Sequence, residues 1–557
     1  MPERGDLQNH FFLDVAGLDP GPARDLMADM LDVTVESSLH LPDVATVVLH
    51  DARLRWVDDR RLDPGTALKI SAKAGATPEH LVFDGEIVEL EPGFDPAAQR
   101  LTVRAFDRMH RLTRGAHVRS FLNVSDGDLV QKIAREARLE ATTSGASQVH
   151  PYVFQNNESN LAFLRGRAAQ LGCLLYAEGA KLHFEAPKPE GDAVELRWGE
   201  TLLDFRPRLT TAGQVTGSTV RGWDPKARQA IVGQVARGNG RPSVGESRAG
   251  EQLARTAFQI DAPVLTVDRP IRTQAAADRL AQAVADRHAS RYIEAEGACV
   301  GNSRIVAGTS VRLANVGDRF TGTYFVTSAR HVYTPDAGYT THFSVSGQNA
   351  ASLLALLAPE PAGVPTGGVV VGIVTDNDDP DGMGRVRVKY PWLTPDHASD
   401  WARVLVLGGG PGRGFQFLPE VNDEVLVAFE LGDVHHPYVL GGLWNGQDKP
   451  PGERSKVVSG GKVQQRVIKS RAGHTLTLDD SDGAPGVTIE DKNGNVIRLD
   501  SAGDKLTVKV KGDAAIEAKG DLKLKAQGRV EISGSAGVKI DGGGATVDVK
   551  GSIINLN

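Results

Sequence analysis

Hydrophobic and polar positions alternate most regularly near the end of the chain. From Gly512 the residues fall into blocks of eight: GDAAIEAK, GDLKLKAQ, GRVEISGS and AGVKIDGG. The third and fifth positions of each block are apolar and the seventh is small. Ile516, Leu522, Leu524, Val530, Ile532, Val538 and Ile540 are the large members of this stripe. Alternation of period two predicts short strands with one dry and one wet face. Gly512, Gly520 and Gly528 recur where each strand must turn, which a residue without Cβ does cheaply. A fixed repeat of this kind predicts a solenoid or an intertwined prism. One three-residue apolar strand per block cannot enclose a core, so several identical chains are expected to share it.

Elsewhere the pattern changes from segment to segment. Residues 44–49, 67–71, 81–83, 86–90 and 100–105 read as short strands between Gly, Pro and Asp. A helix comes next, with Ser125 as its cap, Asp128 three residues on, and Leu129, Val130, Ile133 and Ala137 on one face. Leu161, Leu164, Ala168 and Leu171 mark a second helix that ends at Gly172. Residues 173–176 and 181–184 then form a hairpin. A third helix spans 273–289, inside a second β-rich stretch (194–348) whose strands include 214–221 and 323–330. The front of the chain therefore reads as two related β modules joined by helices.

The three prolines of residues 358–367 mark a linker. Beyond it, strands at 369–375, 385–390, 401–407, 416–418, 424–429 and 438–443 fit a small OB-type barrel. The polar stretch 446–470 leads into the repeats and is too short to hide a catalytic domain. These boundaries divide the chain into 1–357, a linker 358–367, a barrel 368–446, a linker 447–475 and a repeat region 476–557.

Composition narrows the function classes. The chain has 557 residues, 40% hydrophobic, with a net charge of -7. That balance argues against a general nucleic-acid binder. The two cysteines, Cys173 and Cys299, have no ligand-spaced neighbours and are expected to be buried thiols made in a reducing compartment. The N-terminus shows no basic, then apolar, signal pattern, and no apolar run is long enough to span a membrane.

Candidate chemistry is sparse. Asn377, Asp379 and Asp381, before Gly382, fall at the first, third and fifth positions of a calcium loop, but Val388 stands where the bidentate Glu is needed. A solvated turn is the expectation there. His435 and His436 are adjacent and point apart, so a loop role is expected rather than a shared metal. The glycine-rich run 408–414 lacks the ending of a phosphate loop and reads as a flexible loop. Gln155 and Glu158 read as helix capping rather than a catalytic pair. No cofactor, metal or catalytic residue is expected.

Five segments of the barrel region carry a resemblance: GVVVGIVTD from Gly368, GRVRVKYPW from Gly384, SDWARV from Ser399, LPEVNDEVLVAF from Leu418 and GDVHHPYVLGGLWNG from Gly432. They resemble the OB domain of VgrG and phage central-spike proteins. FQNNESNLAFL from Phe154 resembles the hub region of the same family. The variants around Tyr390 and His435 look closer to spikes of extracellular, phage-tail-like contractile injection systems than to type VI secretion. The resemblance implies a mainly β protein: a tandem β-barrel hub with a few helices, an OB-fold barrel, and a C-terminal intertwined trimeric β-helix or prism. It implies a non-enzymatic homotrimer on the inner tube, nucleating baseplate and tube and puncturing the target envelope. It further implies tube, baseplate and effector-cargo partners. A PAAR-repeat tip protein would dock on Ile553, Ile554, Asn555, Leu556 and Asn557. Neither nucleic acid nor a cofactor is implied, and membrane is met only on firing. The chain would be made in the cytoplasm without a signal peptide and incorporated into the injection particle, with no fused effector and no inserted lysozyme domain. The readings set against this one are a receptor- or glycan-binding fibre, and a hydrolase with a dispersed site in the front modules.

Overall fold

The computed structural model describes residues 10–73, 79–95, 98–188, 192–224, 227, 229–347, 368–391 and 398–555. The expected linker 358–367 and the last two residues, Leu556 and Asn557, lie outside the described residues. The chain divides into two compact units, residues 1–443 and 444–557.

The first unit is built on a ten-stranded sheet. In spatial order its strands are His10–Val15, Ala67–Lys73, His80–Asp95, Ala98–Asp107, Val44–His50, Met30–Ser38, Ser328–Thr334, Gly338–Val345, Ile293–Val300 and Leu202–Leu209. The two β modules are therefore not separate bodies joined by helices. Met30–Ser38 pairs antiparallel with Ser328–Thr334, from Val33 opposite Tyr333 to Ser38 opposite Ser328, and the modules share one sheet. Each keeps its own core: Val33, Trp56, Ile70 and Val103 in the first, Tyr292, Val311, Leu313 and Tyr324 in the second.

Among the strand boundaries that differ from the sequence expectation, two do so for a clear local reason; the expected strand 214–221 starts later, as Ser218–Asp224. Residues 81–83 and 86–90 belong to one strand, His80–Asp95. Gly85 looks like a break, but a Cβ there would lie 2.2 Å from the Phe106 carbonyl oxygen; the glycine serves close strand approach, not a turn. The expected strand 323–330 is two. Gly322–Phe325 pairs with Ser310–Ala314, and the chain then crosses to the ten-stranded sheet at Ser328. Thr327 marks the crossing, its Oγ1 donating to the Ser344 carbonyl at 3.0 Å.

The helices agree with their sequence signals. Ser125 caps Asp126–Glu136 in a complete capping box with Asp128. Ser159 caps Asn160–Leu171, which ends at Gly172 in the left-handed conformation. Thr273 caps Gln274–Ser290. The first two helices pack Leu129, Ile133 and Leu164 into a third core together with Phe184 of the strand Lys181–Glu185. The hairpin of Leu174–Glu178 and Lys181–Glu185 forms as expected.

Residues 369–442 close into a five-stranded barrel: Val369–Asp376, Arg385–Lys389, Ala402–Val404, Pro437–Gly442 and Glu424–Phe429. The expected strand 416–418 is absent from it. The excursion instead carries a two-residue hairpin, Gly409–Gly410 against Arg413–Gly414, so the glycine run is paired backbone rather than free loop.

The second unit starts differently from the expected linker. Val458–Ser459 pairs with Lys462–Val463, ahead of a five-stranded antiparallel meander: Gln465–Lys469, Thr475–Asp479, Gly486–Glu490, Val496–Asp500 and Lys505–Lys509. Ser470 Oγ accepts the His474 N–H in the first of its four turns, and the other three are held by carboxylates at their first position. Asp491 accepts from the Asn493 and Asn495 N–H groups, Asp479 from Ser481 and Asp500 from Ala502. Among the described residues beyond Lys509, no strand pairs with another.

Candidate functional site

The repeat bends where its spacing demands. Bends or turns fall at residues 511–512, 519–520, 527–528, 535–536 and 543–544, one every eight residues, with extended chain between. Ile516, Leu522, Leu524, Val530, Ile532, Val538 and Ile540 are 54–77% exposed in the single chain. Leaving seven aliphatic side chains in water forgoes about 1.5–3 kcal/mol each relative to burial. Ile553, Ile554 and Asn555, expected at the tip, are also exposed.

One break in the period escaped the sequence reading. Gly542, Gly543 and Gly544 add a residue, and the next apolar pair is Val547 and Val549 instead of residues 546 and 548. Gly543 and Gly544 absorb it with φ of 57° and 91°, which only glycine adopts without strain.

The meander carries a second uncovered surface, also missed. Its registers align Ile468, Leu476, Ile489, Ile497 and Val508 in one row across the five strands. The neighbouring row on the same face is Arg466, Leu478, Val487, Leu499 and Leu506. The other face shows Thr477, Thr488, Arg498 and Thr507. Among the described residues, every buried hydrophobic cluster lies between Phe11 and Val439, and none covers this sheet. The signal was available as alternation in 465–509, but a linker reading of 447–475 cut through it.

In the first unit the barrel is completed by the hub. Phe154, buried at 2% exposure, sits in the barrel core with Val374, Val388, Val427 and Val439. His435 fastens the same residue: its Nε2 accepts the Phe154 N–H at 2.9 Å, and its Nδ1 lies 2.6 Å from Asp433 Oδ1. Burial pulls the Asp433 carboxyl up, but the His435 hydrogen bond and the His435 and His436 charges outweigh it, leaving it at about 2. Burial lowers His436 to about 4. Arg272 pairs with Glu430 beside this contact. The His pair thus has a loop role, and that role is docking.

The remaining candidates serve structure. Asp379 is not a solvated turn residue; its side chain is 3% exposed. Its carboxylate takes the Arg385 guanidinium at 2.6 and 3.0 Å and the Asp381, Met383 and Arg385 N–H groups. The Arg385 hydrogen bond leads in holding its pKa far below the usual carboxylate range. Among the described residues, no group of three or more His, Cys, Asp or Glu is placed to hold a metal ion. Neither Gln155 nor Glu158 caps a helix, since Ser159 does so. Gln155 is buried and bridges Arg119 Nε at 2.8 Å and Asn160 Oδ1 at 3.1 Å. Cys299 is buried and Cys173 half-buried; burial pushes their thiols up to about 12 and about 11.

Parts of the chain are similar to known proteins. Residues 24–334 match the family described as the Alg8 N-terminal domain. Residues 370–444 match the type VI secretion system and phage-baseplate injector OB domain. The type VI secretion system spike protein VgrG5 of Pseudomonas aeruginosa is 34% identical over 122 residues, 21% of this chain and 15% of that protein. VgrG1a of the same organism is 26% identical over 147 residues, 25% of this chain and 23% of its own length. The matched stretches therefore cover less than a quarter of either relative. A solved Francisella PdpA–VgrG complex, half-lidded, superposes with a TM-score of 0.53 at 9% identity, covering 86% of this chain and 83% of that one. At that identity the likeness is one of fold.

Hub sheet, closed OB barrel and extended repeat define a spike-like structural protein of the phage-tail kind. The chain belongs to the family of the Alg8 N-terminal domain, and its barrel is similar to the injector OB domain of type VI secretion systems and phage baseplates.

Proposed function

We propose that the protein is a non-enzymatic homotrimeric spike at the tip of the inner tube of a contractile injection system, of the extracellular, phage-tail-like type. The observation that carries this reading is the repeat: regular bends every eight residues, a continuous apolar stripe, and no strand pairing among its described residues. Three copies wound about one axis bury that stripe and give each backbone a neighbour, which removes free sheet edges. The outward Lys, Asp and Glu keep the shaft wet. A rod held this way resists peeling, as a puncturing element must.

In this reading the hub sits on the inner tube and nucleates tube and baseplate, and the needle is driven through the target envelope. A PAAR-repeat protein docks on residues 553–557, and effector cargo rides with the spike. The chain is made in the cytoplasm and carried in the particle. Nucleic acid is not a partner. Native mass measurement of the full-length protein tests the assembly: a trimer is expected, and a stable monomer at micromolar concentration refutes it. Turnover of peptidoglycan or polysaccharide by the purified trimer would refute the non-enzymatic part.

A further inference from the structure

The dry face of the meander and the dry stripe of the repeat are in phase. Leu506 and Val508 of the last strand lie on the uncovered face. Both are even-numbered, as are Val510, Ile516, Leu524 and Ile532 further on. Because the repeat length of eight is even, each bend preserves the parity, and the stripe runs unbroken from the sheet to Gly542. Five strands spaced about 4.8 Å apart present the face as a band roughly 19 Å across and two residues wide. A narrow band, apolar except for Arg466 on its first strand and continuous with a stripe that needs other copies, is covered by those same copies.

We infer that the meander is the registering clamp of the trimer: its dry face packs against the same face of two further copies before the repeat winds. This rests on the trimeric reading above. The order comes from conformational entropy. Each meander is already closed by its own backbone hydrogen bonds and Asx-type turns, so its ordering is complete in the single chain. The repeat has no such bonds between strands, and each residue ordered on winding costs on the order of 1–2 kcal/mol. Preformed apolar faces therefore meet first and fix the stagger of the three chains. A one-residue slip would turn the whole stripe to water, so that stagger must be set before winding.

The test uses full-length variants. Ile497→Asp, at the centre of the dry face, is expected to be monomeric by native mass measurement, with the hub and barrel still folded. Leu524→Asp is expected to remain trimeric, with its chain beyond residue 511 cleaved by protease at least tenfold faster. Since Ile497→Asp can also unfold the sheet itself, Ile497→Cys supplies a second reading. It is expected to give interchain disulfides on oxidation, whereas Thr488→Cys on the wet face is not. A trimeric Ile497→Asp, or an Ile497→Cys that crosslinks no better than Thr488→Cys, overturns the clamp. A monomeric Leu524→Asp protein overturns the proposed order. A monomeric unsubstituted protein overturns the trimer reading itself, a distinct result.

Discussion

Residues 1–443 and residues 444–557 solve the burial problem in opposite ways. The first unit encloses five apolar clusters, and its strands find partners within the same chain. The second forms one sheet with an exposed dry face and then an extended repeat whose largest side chains stand in water. Both use period-two alternation. The difference lies in the connection at the end of each strand. In the meander every connection reverses the chain onto its neighbour, and in the hub and barrel each strand finds a partner elsewhere in the same unit. In the repeat, a two-residue bend moves it onward, and among the described residues no strand pairs with another there; in the proposed trimer that pairing falls to other copies. Incompleteness of the single chain is thus confined to one end, where assembly can be made to depend on it.

That contrast can be broken or sharpened by measurement. The largest effect is expected on dilution. Unfolding of the second unit, monitored by hydrogen exchange across 465–555, should shift with protein concentration, while the barrel core should not. If both units show one concentration-independent midpoint, the contrast fails. Next, Phe154→Ala should destabilise the barrel by about 3–5 kcal/mol in denaturant titration, because it removes a core ring contributed by the hub. The same change should leave protection of the meander untouched. Asp379→Ala should cost the barrel about 1–3 kcal/mol, because it removes the bidentate partner of the largely buried Arg385 guanidinium and leaves it only Asp381.

Acid should act on the docking contact with a smaller effect. His436 titrates near 6.5 when unfolded but is held to about 4 in the fold. The unfolded chain therefore binds its proton first, and the stability of the contact falls as pH drops from about 6.5 to about 4. Asp433, held at about 2, adds a loss below about pH 4. Barrel denaturation midpoints at pH 7 and pH 4 should differ by about 1–3 kcal/mol from His436. His436→Gln should flatten the limb above pH 4. The smallest effect is Ser125→Ala, expected to cost about 1 kcal/mol through loss of the capping box, read as a shift in hub melting temperature.

Some of this was written plainly in the chain. Ser125 with Asp128, and Gly172 after Leu171, mark helix ends because capping involves only neighbouring residues. The eight-residue bends appear where the glycine spacing puts them. Gly85 misled, because a glycine that admits a neighbouring strand has the same letter as one that makes a turn, and only the Phe106 carbonyl distinguishes them. Asp379 misled in the same way: an acidic turn residue is normally wet, and its burial depends on Arg385 folding back over it.

The sequence by itself determined the local rules: which residues cap, which alternate, where the repeat bends, and that its stripe exceeds what one chain can bury. Only the tertiary structure decided which strands meet. It joined Met30–Ser38 to Ser328–Thr334 across nearly three hundred residues, placed Phe154 in the barrel core, and gathered alternating residues of 465–509 onto one face. The physical reason is range. Capping and bending are settled by backbone geometry over a few residues, whereas strand pairing is a competition among distant segments that no local pattern encodes.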